Sequence, residues 1–220
     1  YTTITSTQND YHNSTLAAGL NHTGYKCFAD ITSIINTTSP NGTYTVGDVV
    51  SPAGINNGYG GWTIVIAYQN DAEIIRELNV FDGNGIVDQG QPPIDINLSG
   101  FTTPAVGPVT CELGAILYDG DRSALDSFSF KQNGAASFLN LTPNTTSNLN
   151  DMWNSTISYK GSVVTTRNPA FQNTLGYDAD IIDLPNPGNV NLSNNQTACT
   201  VRLASPDENF ILQVVTATIS

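Results

Sequence analysis

Two short acidic segments carry the strongest chemical signal in the sequence. Each places carboxylates beside glycine, and their side chains are Asp82, Asn84 and Asp88 in one and Asp119, Asp121 and Asp126 in the other. Hard cations such as Ca²⁺ take about six to eight oxygen ligands, which such loops supply. The spacing predicts that Ca²⁺, the only cofactor expected, binds at Asp82–Asp88 or Asp119–Asp126 and not at histidine. Plain Asp-Gly turns are the alternative interpretation.

Catalytic chemistry has little support in these residues. His12 and His22 are the only imidazoles, and no nucleophile elbow accompanies them. Asp178, Asp180 and Asp183 suggest the paired carboxylates of a glycosidase. However, Asp178 and Asp180 share one face of a predicted strand, where a solvated edge or a cation site is the expected role. The sequence therefore predicts a protein that is not an enzyme.

Charge and composition narrow the classes of partner. The formal net charge is -12, which repels nucleic acid and anionic membranes. The longest apolar run, Ile64 to Tyr68, is far shorter than the roughly 20 residues that a membrane span needs, so no membrane insertion is expected. Only 12% of residues are charged, so Asn, Thr, Ser, Gln and Gly must cover the surface. That surface is typical of extracellular β-proteins.

Asn-x-Ser/Thr acceptor sites are abundant and indicate a glycosylated exterior. The acceptors are Asn13, Asn21, Asn36, Asn41, Asn97, Asn140, Asn144, Asn154, Asn191 and Asn195. The alternative is that Asn and Thr simply cluster in loops.

The elements that must position these residues are strands, because turn residues recur every eight to twelve positions and the segments between them alternate with period two. The predicted strands are Lys26–Ile31, Tyr44–Val50, Trp62–Tyr68, Ile75–Phe81, Ile94–Leu98, Val109–Tyr118, Asp178–Leu184, Cys199–Ala204 and Phe210–Ile219. Helix is confined to a turn or two at Ile31–Ile35 and Leu149–Thr156. The pattern predicts an all-β fold, a jelly-roll-like β-sandwich with long loops and very little helix, built as a single domain over residues 1–220.

The strand aromatics are assigned to the core, since the pattern does not place several rings on one exposed face. They are Trp62, Tyr68, Phe81 and Tyr118. A sugar-binding platform is therefore not indicated by the sequence.

Eight motifs, in their order along the chain, resemble a domain of very large secreted cell-surface proteins of bacteria, which are adhesins of the gliding-type secretion route. The same domain is found in some archaeal envelope proteins. The motifs begin at Tyr25, Asn41, Gly60, Asn79, Ser99, Asp119, Trp153 and Thr174 and read YKCFADITS, NGTYTV, GGWTIVIAY, NVFDG, SGFTTP, DGDR, WNSTI and TLGYD. The resemblance covers most of the chain. It implies an extracellular, adhesive or structural role and brings no ligand site with it.

The chain departs from that resemblance at two points. The family has a segment of aromatic-rich strands upstream of the position of Tyr1, so the chain is expected to be a fragment or to have its sheet completed by another chain. Cysteine stands at positions 111 and 199, where the family leads us to expect small residues. Both lie in the middle of predicted strands with similar flanks, so we predict a Cys111–Cys199 disulfide, with Cys27 left as a buried thiol.

The function expected from these observations is a non-catalytic structural or adhesive domain at the cell surface. Its expected partners are copies of itself, other cell-surface proteins and glycans. One alternative is a filament or pilus subunit completed by a donated strand, for which Phe210–Ile219 and Tyr1–Ile4 are the candidate donors. A calcium-dependent carbohydrate-binding module is another alternative, and a glycosidase is the most distant one.

Overall fold

The structure is a computed structural model that describes residues 2–15, 21–35, 41–51, 60–142 and 150–220. Twelve β-strands and one 3₁₀ turn, at Pro187–Asn189, lie in these ranges. The strands are β1 (Gln8–Thr15), β2 (Asn21–Phe28), β3 (Glu77–Val87), β4 (Ile94–Ser99), β5 (Cys111–Tyr118), β6 (Ser127–Gln132), β7 (Leu139–Asn140), β8 (Ile157–Tyr159), β9 (Ser162–Val163), β10 (Tyr177–Asp183), β11 (Ala198–Ala204) and β12 (Phe210–Ile219).

Two sheets pack against each other, which confirms the predicted all-β sandwich. The larger sheet has the order β3-β12-β5-β10-β8-β9, and the smaller has the order β4-β11-β6-β7. Only β8 and β10 pair in parallel, whereas the other neighbours are antiparallel. Strands β1 and β2 form a separate hairpin. No helix in the described ranges has the length and apolar character of a membrane span.

The core lies between the two sheets and is filled by alternate residues of the central strands. Strand β11 has Cys199, Val201 and Leu203 buried, and strand β12 buries both Val214 and Val215 where a register shift interrupts the alternation. Side chains from both sheets join in one continuous apolar cluster. Of the strands that line this cluster, the alternation of the sequence predicted the bounds of β4, β5, β10, β11 and β12 closely.

Two predicted strands are absent from the structure. Residues 44–50 and 62–68 run without strand structure, and the Trp62 and Tyr68 side chains are 48% and 73% exposed. Their alternation was real, but neither segment pairs with another strand in the described residues. The helical prediction at Leu149–Thr156 is also wrong over residues 150–156, which adopt no helix, and Leu149 lies outside the described residues.

The C-terminal strand is not available as a donor to another chain. Strand β12 lies inside the larger sheet and pairs with β3 on one side and β5 on the other. The prediction that Phe210–Ile219 completes a neighbouring copy is therefore wrong. Of the second candidate donor, Tyr1 lies outside the described residues, and Thr2, Thr3 and Ile4 are exposed and form no strand.

The glycosylation candidates differ sharply in exposure. Asn13, Asn41, Asn97, Asn140 and Asn195 are exposed and Asn191 is half-buried. Asn36 and Asn144 lie outside the described residues, as does the side chain of Asn21. The prediction of a glycosylated Asn154 is wrong, because the Asn154 side chain is buried. Its amide donates to the carbonyl of Asp151 at 3.3 Å and accepts from the Thr156 hydroxyl at 2.7 Å. The folded chain has no room for a glycan at that position.

The structure holds all three cysteines as free thiols, so the predicted disulfide is not formed in it. Cys111 and Cys199 are both buried in the core, one from each sheet. Burial raises the pKa of Cys199 to about 12 and raises the pKa of Cys111 as well, an effect to which the neighbouring Cys199 adds. Cys27 is exposed, contrary to prediction, and donates to Asn9 Oδ1 at 3.1 Å.

We expect one thiol to react with Ellman's reagent in the native protein and three after unfolding without reductant. The thiolate is the reactive species, and Cys111 and Cys199 are protonated and shielded at mildly alkaline pH. Thiol counting by absorbance checks this, with Cys27→Ser as the control that should abolish the native reaction. A count of one in both states would instead establish the Cys111–Cys199 disulfide.

Candidate functional site

The first predicted calcium segment is part of a strand and not a loop. Asp82 and Asn84 lie in β3, where the carboxylate of Asp82 forms an ion pair with Lys26. The Asn84 side-chain amide bonds His12 Nδ1 at 2.9 Å. Asp88 follows the end of β3. These contacts tie the β1–β2 hairpin to the larger sheet, so the interpretation of Asp82–Asp88 as a calcium loop is corrected. Gly83 and Gly85 continue the strand, and the predicted turn does not form.

The second predicted segment is a loop, but its three acids do not converge. Asp119 is half-buried with a positive φ of 72°, and Asp121 is exposed. Asp126 alone points into the core, where it is 2% exposed and accepts hydrogen bonds from the backbone of Met152 at 2.6 Å and Trp153 at 3.0 Å. In the described ranges, no group of three or more His, Cys, Asp or Glu side chains is arranged to hold a metal ion as it stands.

Asp126 belongs to a set of four buried acids, which we call the buried carboxylate cluster. Its members are Asp126, Asp178, Asp180 and Glu208, and each is at most 7% exposed. Asp178 and Asp180 occupy the inner face of β10, whose burial alternates along the strand. The prediction that they share one face holds, but that face is covered by the fold and is not a solvated edge. Asp183 lies at the exposed end of the same strand.

One oxygen of each cluster carboxyl is held by a hydrogen-bond donor. Asp178 accepts from the Thr156 backbone at 2.9 Å, Asp180 accepts from the Ser158 hydroxyl, and Glu208 accepts from the Asp121 backbone at 2.9 Å. The second oxygens of Asp178 and Asp180 are buried with no hydrogen-bond partner. Such unsatisfied buried oxygens are costly, so the arrangement requires a proton or a cation.

Burial sets the protonation of the cluster. It raises the pKa of Asp180 to about 7 and that of Asp178 well above its ordinary value. Burial, followed by contact with the Asp126 carboxyl, raises the pKa of Glu208 to about 11, and burial also raises the pKa of Asp126. The first cause throughout is the loss of hydration of the charged form. Without another positive charge, the cluster therefore retains protons at neutral pH.

A second feature of the surface is an open groove that is lined in part by aromatic rings. We call it the aromatic groove; it has a volume of about 570 Å³. Its lining residues are Val46, Gly47, Asp48, Val49, Ser51, Gly60, Gly61, Trp62, Tyr118 and Tyr177. The prediction that Trp62 and Tyr118 belong to the core is wrong, because both side chains line this surface groove.

The strand register holds the two tyrosines of the groove together. Tyr118 ends β5 and is paired with Tyr177, the first residue of β10, with ring centroids 5.4 Å apart. The Tyr177 hydroxyl bonds the Thr63 hydroxyl at 3.0 Å, which places the neighbouring Trp62 at the same groove. A side chain at position 61 would collide with the Tyr118 hydroxyl, so glycine allows this close approach. Burial raises the pKa of Tyr118 to about 12 and keeps its hydroxyl protonated.

The sequence contained part of the signal for these sites. Period-two alternation placed Asp178 and Asp180 on the same face as Ile182, which is a core residue. Glu208 was missed because it lies in a connection between β11 and β12, and Tyr177 because it lies at the boundary of a strand. No local pattern joins either residue to its partners.

Comparison with known proteins gives one weak structural likeness. No family model matches the chain, and no curated protein matches it. The chain is similar to the solved structure of a family GH115 4-O-methyl-α-glucuronidase, BtGH115A, with specificity for decorated arabinogalactans. The identity is 11% and the TM-score is 0.33, over 70% of this chain and 19% of that chain. The chain thus spans about a fifth of the length of that protein.

The prediction that the chain is not an enzyme is corrected by this match, because the structure it resembles belongs to a glycoside hydrolase. The exclusion of catalysis is therefore not retained. A likeness at this TM-score carries no argument about which reaction, if any, the chain performs.

Proposed function

We propose that the chain is an extracellular adhesive domain that binds neutral carbohydrate in the aromatic groove. The observation that carries the proposal is the placement of Trp62, Tyr118 and Tyr177 around one open groove. Small-molecule sites are concave surfaces with aromatic walls and a few polar groups that orient the ligand. Sugars suit this combination because their C–H faces pack on aromatic rings while their hydroxyl groups form hydrogen bonds.

The polar groups of the groove are suited to hydroxyl groups of a sugar. Asp48 and Ser51 line it together with the protonated Tyr118 hydroxyl, so acceptors and donors are both present. The net charge of -12 and the Asp48 carboxylate disfavour anionic ligands. The groove therefore fits a neutral oligosaccharide better than a uronate or a sialoside.

An extracellular location is part of the same proposal. Five of the ten Asn-x-Ser/Thr acceptors are exposed, and the surface is rich in uncharged polar residues. The expected partners are glycans of neighbouring cells and other cell-surface proteins.

We expect Trp62→Ala to weaken binding of a neutral tetrasaccharide at least about tenfold, which corresponds to about 1.4 kcal/mol. The ring is 48% exposed and supplies the most accessible apolar surface of the groove. Cellotetraose, mannotetraose and chitotetraose are suitable probes, with calorimetry as the measurement.

The matched control is Phe171→Ala, which removes another exposed ring (71% exposed) that does not line the groove. This variant should bind the probes as the unmodified chain does. The proposal is wrong if none of the three sugars binds saturably, or if Phe171→Ala and Trp62→Ala lose affinity equally.

A further inference from the structure

We propose that the buried carboxylate cluster is a pH-sensitive switch, which holds one end of the sandwich closed while its carboxyl groups keep protons and loosens that end when they ionise. Its members are Asp126, Asp178, Asp180 and Glu208. The inference is independent of the proposed sugar binding, since it concerns the interior of the fold and not the aromatic groove. Such a switch makes the protein more stable in a mildly acidic medium than in an alkaline one.

The first argument is that no cation balances these acids. Each member is at most 7% exposed, and none of the ion pairs of the described residues includes any of them. Two further acids act on the cluster, Asp121 on Glu208 and Asp151 on Asp126. The positive charge of Arg122 acts on Asp151. Removing carboxylates from water without a positive partner is strongly unfavourable, so the cluster becomes neutral by keeping protons.

The second argument is a hydrogen bond between two carboxyl groups, those of Asp126 and Glu208. Asp126 Oδ1 accepts from the backbone N–H groups of Met152 and Trp153. Glu208 Oε2 accepts from the backbone N–H of Asp121. The remaining oxygens, Asp126 Oδ2 and Glu208 Oε1, are buried and receive no N–H or hydroxyl donor. Two ionised carboxylates have only acceptors, so one proton must lie between these two oxygens.

The third argument is that the two acids of β10, Asp178 and Asp180, are held in a similar way. Each has one oxygen that accepts from a donor near β8, at Thr156 or Ser158, and a second oxygen that is buried without a donor. Burial, followed by the charge of Asp180, raises the pKa of Asp178 well above its ordinary value. Burial also raises the pKa of the adjoining Tyr177, which therefore adds no negative charge at neutral pH.

The cluster holds together segments that are distant in the sequence. The loop after β5 contributes Asp126, β10 contributes two acids, and the connection between β11 and β12 contributes Glu208. When protons leave, like charges face each other in a buried site, and their repulsion separates these segments. Trp153 donates its backbone N–H to Asp126, so its buried indole should become exposed to water as the switch opens.

The direction of the pH dependence follows from proton binding. Burial raises the pKa of Asp180 to about 7 and that of Glu208 to about 11, whereas such groups titrate at about 4 in an unfolded chain. The folded state therefore binds more protons than the unfolded state at neutral pH. The stability that these protons supply is fully present below about pH 4 and is lost as the pH rises through the folded-state values.

The test is the melting temperature between about pH 5.5 and about pH 8.5, a range in which exposed carboxylates are already ionised. We expect a fall of at least about 10 °C, because each retained proton changes the unfolding equilibrium about tenfold per pH unit. A Trp62→Ala background leaves Trp153 as the only tryptophan, and its emission should shift to longer wavelength as the pH rises, below the melting temperature. Infrared spectra at neutral pH should contain the carbonyl band of a protonated carboxyl group.

Glu208→Gln is the diagnostic variant, because its amide can accept from Asp121 and donate to Asp126 as a protonated carboxyl does, but cannot ionise. Its melting temperature should match that of the unmodified chain at about pH 5.5, and its fall across the range should be smaller by at least about 5 °C. Asp180→Asn should also reduce the fall, which keeps the test available if Glu208→Gln does not fold.

Asp207→Asn is the matched control, since Asp207 is the exposed acid next to Glu208. Its amide oxygen can still accept from the backbone N–H of Leu125, so this variant should retain the full pH dependence.

The proposal is overturned if the melting temperature does not fall across this range, or if no protonated carboxyl is present at neutral pH. It is equally overturned if Glu208→Gln and Asp207→Asn keep the same pH dependence, or if Trp153 emission does not shift before melting. No sugar enters these measurements, so a failure of carbohydrate binding leaves their outcome unaffected.

Discussion

Replacing Trp153 with alanine is expected to lower the free energy of unfolding by about 3–5 kcal/mol. Trp153 is fully buried, and its ring lies 5.4 Å from Phe128 and 6.1 Å from Phe210 between ring centroids. Phe128 belongs to the smaller sheet and Phe210 to the larger one. The indole therefore bridges the two layers, and its removal leaves a cavity that rigid strands on both sides cannot close.

Denaturant unfolding monitored by far-ultraviolet circular dichroism checks this loss. The matched control is Trp62→Ala, since Trp62 is half exposed and its loss should change stability by no more than about 0.5 kcal/mol. Trp153→Phe keeps an aromatic ring at the bridging position and should cost less than Trp153→Ala. Similar losses for Trp62→Ala and Trp153→Ala would show that the layers are not held together at this ring.

Gly120→Ala is expected to destabilise the fold by about 1–3 kcal/mol, although it adds a single methyl group. The new Cβ would collide with the Asp178 carboxylate and approach the backbone of Trp153. The glycine cannot move away easily. Its N–H donates to the carbonyl of Gly176 at 3.2 Å, and its own carbonyl accepts from the Ser155 hydroxyl at 2.6 Å.

Gly83→Ala is the matched control for this substitution. A Cβ at Gly83 meets no atom within 4 Å, and the residue lies in β3 at the register shift with β12, without a positive φ. Alanine there should be neutral or slightly stabilising, because it reduces the conformational freedom of the unfolded chain. Thermal and denaturant unfolding of both variants provide the comparison. An equal effect at the two positions would mean that close packing around Gly120 does not limit stability.

The all-β architecture could be predicted from the sequence because the signals for it are local. Alternation with period two and frequent turn residues located β4, β5, β10, β11 and β12 closely. The same signal failed at residues 44–50 and 62–68, where alternation occurs without a pairing partner in the described residues. A strand needs a neighbour as well as a pattern, and the neighbour is a property of the whole fold.

The two candidate sites were beyond local patterns for a related reason. Alternation determined that Asp178 and Asp180 share a face, but only the packing of the second sheet decided that this face is buried. Glu208 and Asp126 join them because the connection before β12 and the loop after β5 meet at one end of the sandwich.

Similarly, Trp62, Tyr118 and Tyr177 are far apart along the chain and become neighbours only through strand register and the Thr63–Tyr177 hydrogen bond. The sequence by itself determined the all-β class, the bounds of the central strands β4, β5, β10, β11 and β12, and the acidic charge. The tertiary structure decided which acids lose their water and which rings reach the surface, because burial depends on contacts between residues distant in sequence.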